Sequence, residues 1–218
     1  MTGRAPEPAS DHGSALVELT EVMARLRTGC AWKAGQTHTS LVRYLLEETY
    51  ETVEAIENGD SDHLREELGD LLLQVWFHAE IAAEDGRFDI EDVAADLVAK
   101  LRRRNPHVFA PAEASAAPDD PESINEQWER IKAAEKRRDG LMDGVPEELP
   151  ALLRAVKALD RLERAGGVPR FESGTDDLGQ RLLALVAEAR VAGIDPEQAL
   201  RAAVRSLAPG DGPGSSNP

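Results

Sequence analysis

Residues 62–85 contain the run LLLQVWFHAEIAA, directly preceded by Glu66-Glu67-Leu68-Gly69-Asp70. Wound as a helix, this segment is apolar nearly all round, and such a helix has to be covered by other elements. The run is far short of the roughly 20 apolar residues that a membrane span requires. The cover is predicted to come from further helices. Leu16, Leu19, Met23 and Leu26 recur at helical spacing, which predicts a helix over 14–27. Leu41, Leu45, Val53 and Ile56 predict a second over 40–57. Asn58-Gly59-Asp60 is a turn signal, and Asp60 or Ser61 can cap the helix that follows. Asp89 caps a helix over 90–104, and Ser123 with Glu126 forms a capping box for one reaching 138. Pro146 opens a helix over 147–165, which Gly166-Gly167 stops. The last two run over 176–192 and 196–207, the latter with Asp195 as cap and Pro196 at its first position. No stretch reads as a strand, and aromatic residues make up only 4% of the chain, which disfavours β-architectures. The expected fold class is all-α.

Residues 1–13 and 208–218 are rich in Pro, Gly and Ser and read as disordered ends, and 110–122 reads as a linker. The chain carries 25 Lys+Arg against 41 Asp+Glu, a formal net charge of −16. That balance argues against general nucleic-acid binding, which rewards clustered cations. A small phosphate ligand needs only a local basic cluster or a bound cation. Cys30 is the one cysteine and has no internal disulfide partner, so a reducing compartment is expected. The first residues lack the apolar core of a signal peptide. A soluble cytoplasmic protein without a membrane partner is the expectation.

The chemistry concentrates on two helices. Glu47, Glu48, Glu51 and Glu54 lie on the second; Glu66, Glu67 and Asp70 lie on the third. Glu48 and Glu51 share a face, as do Glu67 and Asp70. The turn between the helices is short, so the two should pack antiparallel and bring the carboxylates together. Glu54 and Glu66 read as solvated. Glu67 and Asp70 sit beside the apolar run, where unpaired carboxylates are costly. Two like charges about 4 Å apart repel by roughly 4 kcal/mol at an effective dielectric of 20. Arg43 and Arg65 are the nearest cations and too few to neutralise four acids. A divalent cation would, and oxygen-only ligands select a hard one, Mg²⁺ or Mn²⁺. Gly69 suggests either close approach of a neighbouring backbone or simply tight helix packing. No His has a Glu three positions before it, as a di-iron bundle requires. An EF-hand starting at Asn58 would place Gly69 at its twelfth, acidic position. Neither a P-loop nor a zinc pattern is present.

Lys100, Arg103 and Arg104 share a face and read either as a charged helix end or as a phosphate site. Trp128, one turn before Lys132, packs into the core or stacks on a base. Metal, cations and a stacking residue together suggest a polyphosphate nucleotide. Glu47 is either exposed or the residue that orients an attacking water. A nucleotide-binding regulatory module without turnover, and a purely structural helical adaptor, are the competing readings.

These residues carry a family likeness. The stretch from Gln36 to Phe109 closely resembles the MazG nucleoside triphosphate pyrophosphohydrolases. Their E-E-x-x-E…E-x-x-D signature stands here as Glu47-Glu48-Thr49-Tyr50-Glu51 and Glu67-Leu68-Gly69-Asp70. Their K-L-x-R-R-x-P-H-V-F segment stands as Lys100–Phe109, and a later W-x-x-x-K as Trp128 and Lys132. The resemblance implies antiparallel helix pairs forming a bundle completed by homodimerisation. It implies Mg²⁺-dependent hydrolysis of nucleoside triphosphates to the monophosphate and pyrophosphate, in a house-cleaning or stress-related role. By matching position, Glu48, Glu51, Glu67 and Asp70 would bind metal, with Glu47 and Glu51 catalytic. Lys100, Arg103, Arg104 and Lys132 would hold phosphates, and Trp128 the nucleotide. The family's C-P-W-D stands here as Cys30-Ala31-Trp32-Lys33. Lys33 reverses a charge there and leaves Trp32, Gln36 and His38 as candidate base contacts. Glu66–Val75 also aligns with Asp176–Leu185, with Gly69 matching Gly179 and Gln180 in place of Asp70. The implied organisation is a catalytic unit over 14–109, helices over 123–165 that complete the nucleotide site, and a truncated, degenerate second unit over 166–207.

Overall fold

A computed structural model describes residues 14–109, 120–135, 140–169, 171 and 176–207. The ends at 1–13 and 208–218, and nearly all of the expected linker, lie outside the described residues. Every regular element among the described residues is a helix: α1 (Ser14–Gly29), α2 (Ala31–Ala34), α3 (His38–Asn58), α4 (Ser61–Glu84), α5 (Ile90–Arg104), α6 (Pro106–Phe109), α7 (Pro121–Glu135), α8 (Ala151–Arg164), α9 (Leu178–Val191) and α10 (Pro196–Arg205).

Local capping chemistry sets most of the boundaries. Thr37 and Ser40 form a reciprocal capping box that starts α3. Gly59 ends it in the left-handed region, at φ 71°, where a Cβ would be strained. Asp60, not Ser61, caps α4, accepting from the backbone N–H of Asp62 and His63. Asp89 caps α5 and Asp195 caps α10, each through its carboxylate.

Four sequence expectations are corrected. Helix α7 begins at Pro121, and the Asp120 carboxylate accepts from Ser123 N–H at 2.8 Å. Ser123 is therefore inside the first turn rather than its cap. Helix α8 begins at Ala151 rather than near 147, because Pro150 disfavours helical backbone in the residue before it. A Cβ built on Gly69 would meet nothing within 4 Å, so no close backbone approach among the described residues explains that glycine. The segment expected to be irregular between α1 and α3 also contains the single turn α2.

The chain divides into two compact units, 1–129 and 130–218, with the boundary inside α7. In the first, Met23 (α1), Leu41 (α3), Trp76, Phe77 and Ile81 (α4) and Ile90 (α5) form the buried core. The indole of Trp76 donates to Thr20 Oγ at 3.1 Å, so its one polar atom is satisfied inside that core. Helix α4 is only partly covered: Leu68, just before the apolar run, and Val75 within it stay exposed. In the second unit, α8, α9 and α10 pack together around Leu159 and Val186. There Arg190 Nε donates to Asp160 at 2.9 Å, joining α9 to α8.

Candidate active site

Helices α3 and α4 make the most extensive helix–helix contact described in the molecule. They run antiparallel, joined only by Gly59 and Asp60, with His38 meeting His78 at one end. Further along the pair, Glu48 of α3 faces Glu67 and Asp70 of α4, and one oxygen from each lies within 4.8 Å of the others. Opposite ligands across a Mg²⁺ ion with 2.0–2.1 Å bonds span about 4 Å, so small rotations of these side chains would close the set. Burial pushes the Glu48 carboxyl up from its ordinary range, and the nearby Asp70, Glu51 and Glu67 push it further. Glu51 also shares a hydrogen bond with Glu48. Of the four acids expected to bind metal, Glu48, Glu67 and Asp70 converge, while Glu51 is exposed and reaches them through its hydrogen bond to Glu48. Glu47, Glu54 and Glu66 are exposed.

Glu67 is the most enclosed of them, only 6% exposed. Its Oε1 lies 2.9 Å from His63 Nε2. Its Oε2 is buried and has no hydrogen-bond partner among the described residues. An orphaned buried carboxylate oxygen is costly. A hard cation would satisfy it, and the all-oxygen donor set fits Mg²⁺ or Mn²⁺. Arg43 instead lies over the Tyr44 ring, and Arg65 pairs with Asp62 on the surface.

The basic residues divide. Lys100 and Arg103 line a groove of about 640 Å³ along α5, with Phe88, Asp92 and Asp96 on its wall. None of the clustered acids is in that lining. Arg104 turns to Trp128, its guanidinium carbon 5.4 Å from the ring centre, a cation–π contact. Lys132 follows Trp128 by one turn of α7.

The α1–α3 connection carries Trp32, Gln36 and His38. Trp32 is exposed, edge-on to Tyr44 at 6.0 Å, with the Lys33 ammonium 5.7 Å from its ring. The Gln36 amide donates to Trp32 O at 3.1 Å and accepts from Ser40 Oγ at 2.7 Å. Two features here had no sequence signal. Buried Arg27 forks onto Glu84 at 2.7 and 2.8 Å, and also donates to Lys33 O and Gln36 O. It thereby ties this connection to the end of α4. His38 and His78 stack with Nδ1–Nδ1 at 2.8 Å, and Arg87 lies 2.8 Å from His38 Nε2.

The guanidinium can only donate, so His38 Nε2 accepts and its Nδ1–H donates to His78. In that chain His78 Nδ1 is the acceptor, which a neutral His78 ring provides. Burial, then the neighbouring His38, hold the His78 pKa below its ordinary value. A lowered histidine pKa means that the unfolded chain takes the proton first. The stability this ring contributes is therefore full above the ordinary histidine range and lost as pH falls through it. Melting temperature should fall between about pH 7.5 and about pH 5.5, and His78→Phe should shrink that fall. Identical slopes for the two proteins would contradict the lowered His78 pKa.

Residues 36–109 match the family model of the MazG nucleotide pyrophosphohydrolase domain. The chain is similar to a nucleoside triphosphate pyrophosphohydrolase of Mycobacterium tuberculosis, 48% identical over 161 residues, covering 73% of this chain and 48% of the relative. It is similar to an Escherichia coli protein of the same name, 44% identical over 154 residues, 68% of this chain and 57% of the relative. It thus spans about half the length of these two proteins. A nucleoside triphosphate pyrophosphohydrolase/pyrophosphatase MazG of Thermotoga maritima is 38% identical over 215 residues, covering 87% of this chain and 81% of the relative. The names of these relatives define one class of enzyme, the nucleoside triphosphate pyrophosphohydrolases. The chain belongs to the MazG family of nucleoside triphosphate pyrophosphohydrolases.

Proposed function

We propose that this chain hydrolyses ribo- or deoxyribonucleoside triphosphates to the monophosphate and pyrophosphate, using Mg²⁺ or, as a substitute, Mn²⁺. The observation that carries this reading is that Glu67 lies beside Glu48 and Asp70 and keeps a buried oxygen, Oε2, with no donor among the described residues. Glu48, Glu51, Glu67 and Asp70 would hold the metal, which would neutralise polyphosphate charge and make a bound water more acidic. Glu47, exposed and next in sequence to Glu48, would orient the attacking water, with Glu51 beside it. Lys100 and Arg103 in their groove, with Arg104 and Lys132, would hold phosphate oxygens by charge-assisted hydrogen bonds. Trp128, Trp32, Gln36 and His38 would contact the nucleoside.

In this reading 14–109 is the catalytic unit, 123–165 completes the nucleotide site, and 166–207 is a degenerate second unit with a structural role. The working form is a homodimer. Leu46, Tyr50, Leu68 and Val75 on α3 and α4, and Leu97 and Leu101 on α5, are exposed in the single chain. A second copy would cover them. The setting is cytoplasmic control of the nucleotide pool. No helix among the described residues is long and apolar enough to cross a membrane.

The test is incubation of the protein with each triphosphate and Mg²⁺, with pyrophosphate, orthophosphate and monophosphate measured separately. Pyrophosphate and monophosphate should appear in equal amounts, and EDTA should stop their release. Orthophosphate as the product, or release that survives EDTA, would refute the proposal. Tight binding of Mg²⁺-nucleotide without turnover would select the regulatory alternative.

A further inference from the structure

Glu67 has two oxygens in unlike settings, and one residue outside the acidic cluster makes the difference. His63 stands four positions earlier on α4, and its Nε2 is 2.9 Å from Glu67 Oε1. A carboxylate accepts only, so Nε2 carries the proton of this bond. The start of the helix is held firmly: the Asp60 carboxylate accepts from the His63 backbone N–H at 3.0 Å and from Asp62 at 3.1 Å. The cap therefore fixes where the imidazole begins, and i,i+4 spacing places it over Glu67.

An i,i+4 pair on an open helix surface contributes little. This one differs in its acceptor. The imidazole side chain is 38% exposed, whereas that of Glu67 is 8% exposed. The terminal torsion of a glutamate is broad, so burial alone does not fix how the carboxylate plane is turned toward Glu48 and Asp70. With Oε1 held by His63, Oε2 is left buried and without a donor.

We propose that His63 is a positioning residue of the metal centre, holding Glu67 by Oε1 so that Oε2 is the oxygen presented to the cation. This rests on the reading of the acids as a cation site given above. Such supporting hydrogen bonds to metal-binding carboxylates orient the ligand before the ion arrives.

The experiment uses the full chain, stripped with EDTA and dialysed, and titrates Mg²⁺ and Mn²⁺ by calorimetry without nucleotide. His63→Phe keeps a ring at a partly exposed position but removes the donor. His63→Gln retains an N–H. The Phe variant should bind both metals about tenfold more weakly, and the Gln variant should stay within about threefold of wild type. In turnover, the Phe variant should need more metal yet approach wild-type kcat at saturation.

Unchanged metal binding in the Phe variant would overturn the proposal, and so would equal losses in both variants. A loss confined to Mn²⁺ would overturn it too, because a direct nitrogen ligand favours that ion over Mg²⁺. If the Phe variant does not fold, the Gln variant decides: retained affinity supports the role and about a tenfold loss refutes it. A wild-type chain that takes up neither metal would sink the cation-site reading itself. A wild type that binds, with an unaffected Phe variant, would sink only the role of His63.

Discussion

Replacing Glu67 by glutamine is expected to abolish pyrophosphate release while leaving the metal-free protein at least as heat-stable as wild type. The amide keeps an acceptor for His63 but removes the anion that Oε2 offers to a cation. Loss of the metal's contribution should slow turnover on the order of a thousandfold, about 4 kcal/mol of barrier. Stability should move the other way. The raised Glu48 carboxyl reflects burial and its neighbours Asp70, Glu51 and Glu67, so removing one charge relieves repulsion. Asp70→Asn should behave alike. Thermal unfolding in EDTA and in Mg²⁺, beside the pyrophosphate assay, checks both halves. Added Mg²⁺ should raise the melting temperature of wild type by mass action and leave that of the variants unmoved. Activity surviving either substitution would show that the cluster is not the catalytic centre.

Arg27→Met should weaken folding more than either of those changes disturbs it. Methionine keeps the apolar stem but loses the fork to Glu84 and both carbonyl contacts. Removing one partner of a fully buried ion pair costs about 3–5 kcal/mol. Arg27 is buried but the Glu84 side chain is 48% exposed, so about 2–3 kcal/mol is expected. Urea denaturation at neutral pH measures it. The variant should also raise KM, because the connection bearing Trp32 and Gln36 loses its tether to α4. The pair has a pH signature as well. The Arg27 hydrogen bond holds the Glu84 carboxyl below its usual range. Its contribution is therefore present above the ordinary carboxylate pKa and lost as pH falls through the lowered one. That acid-side loss should be reduced in Arg27→Met. A variant as stable as wild type would leave Arg27 without the role assigned to it.

What could be read from the chain follows the range of the interaction concerned. Asp60, Asp89 and Asp195 announce helix starts because a cap bonds only two or three residues ahead. The carboxylates of α3 and α4 could be placed together because helical spacing and a two-residue turn fix their register. The Ser123 and Pro146 readings went astray where a rival punctuator, Asp120 or Pro150, stood a few residues away and won. Arg27 and Glu84, and His38 and His78, were not legible. Their partners lie 57 and 40 positions apart. Among 41 acids nothing local marks Glu84 as the one Arg27 will meet. The parting of Arg104 from Lys100 and Arg103 was equally hidden, since it depends on where Trp128 arrives from another helix.

Because α4 follows α3 after only Gly59 and Asp60, all the clustered acids sit inside a single helical hairpin. Chain closure over so short a span costs little entropy and favours rapid assembly. The register between these acids is thus set within the hairpin itself, while α1 and α5 supply the cover that its apolar helix needs.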